Sequence, residues 1–106
     1  MPYAIQSTDD FDKQLEEAGD KLVVVDFWAD WCGPCKMMAP KFEELSKEHT
    51  DVKFLKVDTD AQGELSKNQN ITALPTFRFF KNKSSFGQDV VGADLATLKE
   101  RIKQYC

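Results

Sequence analysis

The chain is poor in the residues that would point to most partners and compartments. It has one histidine, His49, and three cysteines, too few for a disulfide framework. Lys and Arg number 14 against 18 Asp and Glu, a net charge of -4. Nucleic acid and anionic membrane both need clustered positive charge, so neither is expected as a partner. The longest apolar run, Leu22 to Val25, is far too short to cross a bilayer. Met1 to Gln6 has neither a basic stretch nor a long apolar one, so no signal peptide is read and a cytoplasmic location is expected. There is no linker, repeat or low-complexity segment. A length of 106 residues suggests one domain spanning 1–106.

What is present is concentrated at Trp31-Cys32-Gly33-Pro34-Cys35. An apolar run from Leu22 to Ala29 leads in, and a helix-like pattern from Lys36 to Glu48 leads out. The first turn of a helix carries unpaired N–H groups and partial positive charge, so it stabilises an anion. A thiolate is such an anion, and its pKa falls there. Cys32 should benefit most. Cys35, about one turn on, lies within reach to close a ring. In a reducing compartment such a pair is expected to be catalytic or metal-binding rather than structural.

The remaining pattern alternates strands and helices. Tyr3 to Gln6 reads as an edge strand. Ser7 to Asp10 can cap a helix whose Phe11, Leu15 and Ala18 share one face, with Gly19 as its stop. Leu22 to Ala29 is apolar on both faces, as a covered central strand should be. Met38, Phe42 and Leu45 form a helical stripe that Pro40 should kink. Val52 to Val57 is a strand, and Asp58 to Asp60 can cap a weak helix over Ala61 to Lys67. Asn70 to Pro75 is a loop and Thr76 to Phe80 an aromatic strand. A turn at Asn82 to Ser85 returns the chain antiparallel over Phe86 to Val91, with Gly87 marking a bulge or a close approach. Asp94 caps a last helix with Leu95, Leu98, Ile102 and Tyr105 on one stripe. The expected fold is α/β: a small mixed sheet with helices on both faces.

The motif and its flanks resemble the thioredoxin family. Val25–Ala29, Trp31–Pro40, Lys56–Asp58, Leu74–Phe77 and Val91–Ala93 fall in that family's order and spacing across essentially the whole chain. The resemblance implies a thioredoxin fold, with a central sheet of about five strands flanked by about four helices. It implies a stand-alone protein dithiol–disulfide oxidoreductase that reduces disulfides in target proteins. No cofactor is bound; NADPH serves indirectly, through a thioredoxin reductase. Three positions depart from the family. The turn at Asn82–Ser85 lacks its usual glycine, Leu74 replaces Ile or Met, and Cys106 belongs to no family motif.

On this reading Cys32 is the nucleophile and Cys35 the resolving thiol, passing through a mixed disulfide. A structural cystine is the alternative. Zinc would need two further ligands, and only Cys106, His49 or carboxylates could supply them. Asp26 lies mid-way along an apolar strand, where lost hydration raises its pKa. A carboxyl poised near neutrality could take the proton from Cys35, the role the resemblance also implies. The resemblance further implies a cis Leu74–Pro75 bond facing the cysteines, beside backbone able to pair with an extended peptide. Trp31, Gly33, Pro34, Ala73, Thr76, Gly92 and Ala93 would complete the contact surface around Cys32. Asp30 and Lys36 are minor charge tuning, Trp28 is core, and His49 is a partner for a helix C-terminus. Cys106 reads as an incidental exposed thiol on a monomer, with a Cys106-linked dimer as the alternative. Two rival functions are a regulatory module that binds only when reduced, and a net oxidant or isomerase.

Overall fold

A computed structural model describes residues 1–106. The strands are β1 (Tyr3–Ala4), β2 (Val23–Trp28), β3 (Lys53–Asp58), β4 (Thr76–Lys81), β5 (Ser84–Ser85) and β6 (Val90–Val91). The helices are α1 (Thr8–Ala18), α2 (Gly33–Glu48), α3 (Gly63–Asn68) and α4 (Leu95–Tyr105). The sheet order is β1-β3-β2-β4-β5, with β6 also on β4. β1, β3 and β2 run parallel, and β4 runs antiparallel to β2. Parallel neighbours need crossovers, which α1 and α2 provide.

β2 is the centre of the sheet and is covered on both sides. Val23, Val25 and Phe27 pack with Phe11 and Leu15 of α1 and Leu65 of α3. Val24 faces the opposite core, with Phe42 of α2 and Leu98 and Ile102 of α4. Alternation along the strand puts Asp26 on the Val24 side, toward α2. The strand is apolar on both faces because both faces are buried.

Helix α2 begins three residues earlier than the apolar pattern suggests. Cys32 is its N-cap and Pro34 sits in its first turn, where the missing N–H would have had no partner. Pro40 lies inside the helix without ending it. Helix α3 starts at Gly63 rather than Ala61 and has no side-chain cap. Asp58 instead closes the preceding turn, its Oδ1 accepting from the N–H groups of Asp60 and Ala61 at 3.0 and 3.3 Å.

The hairpin after β4 turns on two residues, Asn82 and Lys83, both with positive φ. That is the sign pattern of the tight hairpin turn favoured by the twist of the strands. The return strand is interrupted. Ser84–Ser85 and Val90–Val91 each pair with β4, but the chain between them leaves the ladder. Gly87 adopts φ 72°, which is not extended, and a Cβ there would lie 2.6 Å from the Tyr105 hydroxyl oxygen. The close approach expected at Gly87 is therefore made by the last helix.

Candidate active site

The cysteine pair sits where β2 hands over to α2. Cys32 and Cys35 are disulfide-bonded, with Cα atoms 5.2 Å apart. The backbone N–H of Cys35 donates to Cys32 Sγ at 3.2 Å, so the sulfur occupies the capping position of the helix. The N-cap accepts from a donor that the helix itself leaves free. Both sulfurs are largely covered, in a small cluster with Ala29 against which Trp28 and Leu74 pack.

Asp26 lies behind the pair. It is 4% exposed, and its Oδ1 has no hydrogen-bond partner in the protein. Burial pushes its carboxyl up to about 7, against an opposing pull from the Lys56 charge. Lys56 stands beside it because β2 and β3 pair Asp26 with Lys56. A cavity of about 380 Å³ is lined by Asp26, Cys35, Trp28, Lys56 and Ala39, among others. The carboxyl and the second thiol position therefore open onto one space. Trp28, expected as core, is half-buried and lines this cavity, its indole N–H also unpartnered.

On the outer side of Cys32 a groove of about 470 Å³ is lined by Trp31, Gly33, Pro34, Ala73 and Leu74, together with Cys32 itself. Trp31 is 71% exposed and its indole N–H donates to Asp60 Oδ2 at 3.0 Å. The Leu74–Pro75 bond is cis. Pro75 and Thr76 are buried beside the groove rather than lining it, and Thr76 Oγ1 donates to Ala73 O at 2.6 Å. Gly92 donates its N–H to Pro75 O at 2.8 Å, and exposed Ala93 follows. The structure thus brings Trp31, Gly33, Pro34 and Ala73 to Cys32, with Gly92 tied to their border through Pro75.

Sequence reasoning missed Lys56, Asp60, Ile71 and Thr72. Ile71 and Thr72 line the groove, and the loop they stand on carried the only advance signal. The neighbour relation of Lys56 to Asp26 depends on strand register. His49 is the C-cap of α2, away from the cysteines. Cys106 is exposed, and its thiol donates to Asp51 Oδ2 at 3.1 Å, a bond that raises the thiol's pKa. No three His, Cys, Asp or Glu side chains are grouped to hold a metal ion, and no helix is long and apolar enough to cross a membrane.

A cystine at a helix N-terminus, on a mixed sheet and with a buried acid behind it, is the arrangement that a dithiol–disulfide oxidoreductase requires. Comparison narrows the class. The thioredoxin family model matches residues 3–104. A thioredoxin of Geodia cydonium is 48% identical over 104 residues, covering 98% of each chain. Thioredoxin 1 of Plasmodium falciparum is 44% identical over 105 residues, covering 99% of this chain and 98% of that one. The X-ray structure of Fasciola hepatica thioredoxin superposes with a TM-score of 0.95 at 38% identity, covering 98% of this chain and 99% of the other. The chain belongs to the thioredoxin family.

Proposed function

We propose that the chain, acting as one domain over residues 1–106, reduces disulfides of other proteins, with Cys32 as nucleophile, Cys35 as resolving thiol and Asp26 as proton acceptor. Cys32 thiolate attacks one sulfur of the target disulfide. A mixed disulfide forms and the other target sulfur leaves as a thiolate. Cys35 then gives its proton to Asp26 and attacks Cys32 Sγ. The Cys32–Cys35 disulfide forms, the target's second sulfur is released, and two electrons have passed to the target. The observation that carries this reading is the cavity shared by Asp26 and Cys35. A carboxyl near pKa 7 is matched to accept a proton at neutral pH.

The groove beside Cys32 takes an extended stretch of the target. Trp31, Gly33, Pro34 and Ala73 supply contact, and Pro75, Thr76, Gly92 and Ala93 supply the backbone edge. The oxidised pair is recharged by a thioredoxin reductase drawing on NADPH, so the chain carries electrons within a cytoplasmic redox system. It works as a monomer. A Cys106-linked dimer is the alternative, and a non-reducing gel of wild type and Cys106→Ser separates the two. The function itself is tested by dithiothreitol-coupled reduction of insulin. Wild type should accelerate it and Cys32→Ser should not; equal rates for both would remove Cys32 from the reaction. Oxidation of NADPH in the presence of a thioredoxin reductase tests the recharging step.

A further inference from the structure

We infer that Arg78 is a positioning residue for target binding: its single guanidinium clamps the roots of the two loops that border the groove beside Cys32. Arg78 stands on β4, its side chain 18% exposed. Nη1 donates to the backbone oxygen of Gln69 at 2.6 Å and to its Oε1 at 3.2 Å. Nε and Nη2 fork onto the carboxylate of Asp89 at 3.0 and 2.9 Å. A fork of this kind fixes direction as well as distance, and only arginine can make it while donating a third way.

The two partners open the two loops. Gln69 is the C-cap of α3, and the chain beyond it supplies Ile71, Thr72, Ala73 and Leu74 to the groove. Asp89 immediately precedes β6, which leads through Val91 to Gly92 and its hydrogen bond to Pro75 O. β6 pairs with β4 at only two positions, Thr76 with Val91 and Phe77 with Val90. Continuing that register by one residue sets Asp89 opposite Arg78. So short a strand is weakly held by its own ladder, and the chain before it is off the sheet. Arg101 of α4 adds a second hold, donating to the backbone oxygens of Gln88 and Asp89. Of the two arginines, only Arg78 reaches both loops.

The inference rests on the groove being the surface that takes the target. Arg78→Met keeps the apolar stem and removes every donor. The amides of Ile71 and Gly92 should then exchange about tenfold faster with solvent, while those of β2 do not change. KM for insulin should rise about threefold to tenfold with kcat retained. Reduction of a small disulfide, dithiobis-nitrobenzoate, should keep its rate, because it does not need the groove. Asp89→Asn breaks one arm of the clamp, so Gly92 should loosen and Ile71 should not; it also serves if Arg78→Met fails to fold. Unchanged exchange in both variants overturns the clamp. Faster exchange with unchanged KM, or equal losses on both disulfides, overturns its role in binding. Ala73→Arg tests the groove separately: if it leaves KM for insulin unaltered, the groove reading fails, and exchange still reports on the clamp.

Discussion

The backbone N–H of Cys35 points at Cys32 Sγ across 3.2 Å. The donor belongs to the first turn of α2, and the acceptor is that helix's N-cap. In the dithiol form the same N–H, with the helix dipole behind it, favours the thiolate of Cys32 over the thiol. Alkylation rate followed against pH should give Cys32 an apparent pKa at least about one below the free-thiol value of roughly 8.5. A value equal to that of an unfolded peptide would remove the physical basis of the proposed attack.

Asp26 should make the disulfide form less stable as pH rises. Its folded pKa of about 7 lies above the ordinary carboxylate value of 3.8. Between those values the native state holds a proton that the unfolded state has lost, so stability falls with rising pH and levels off above about 7. The gap corresponds to at most about 4 kcal/mol. Asp26→Asn should remove most of this slope and raise stability at pH 8 by a few kcal/mol, measured by denaturant unfolding across pH. The same variant should slow release from the mixed disulfide, most at neutral pH. An unchanged release rate and pH profile would take Asp26 out of the mechanism.

Lys83 carries φ 70° in a two-residue turn where glycine costs less. Lys83→Gly should stabilise the fold by about 1 kcal/mol, because the left-handed conformation penalises a Cβ. Urea midpoints of the two proteins, at equal slope, report it. The redox activity should be the same in both, since the turn lies at the far end of β4 from the cysteines.

Gly87 is the opposite case. A Cβ at this position would meet the Tyr105 ring, and its φ of 72° disfavours any side chain. Tyr105 cannot easily move: its ring packs edge-on against Phe79 and Phe86, and its hydroxyl accepts from the Gln88 N–H at 3.1 Å. Gly87→Ala should cost about 1–3 kcal/mol, in the range of overpacked interiors. A thermal midpoint within a degree of wild type would show that the C-terminal helix end yields freely.

The centre of the site was legible because it is local. An apolar strand, a Cys-Gly-Pro-Cys turn and a helix in direct succession put Cys32 at a helix start and Asp26 in the interior without any knowledge of strand order. The apolar pattern of α2 begins only at Lys36, although Gly33 and Pro34 already form its first turn behind the N-cap Cys32. The rest of the site depends on register between distant segments. Lys56 meets Asp26 only because β3 pairs with β2 in one alignment, 30 residues apart in sequence. Arg78 reads as one charge in an aromatic strand, and its two partners lie at the end of α3 and just before β6. Gly87 marks a close approach in the sequence, but its neighbour there, Tyr105, lies 18 residues further on and no local pattern announces it.

The acid and both sulfurs occupy ten consecutive positions, 26–35, while the groove also draws on residues 71–74 and its border on Gly92. The groove thus combines Trp31 to Pro34 of that stretch with Ile71 to Leu74 of a separate loop. A substitution at Ile71 or Thr72 can therefore reshape the groove without touching the acid or either sulfur.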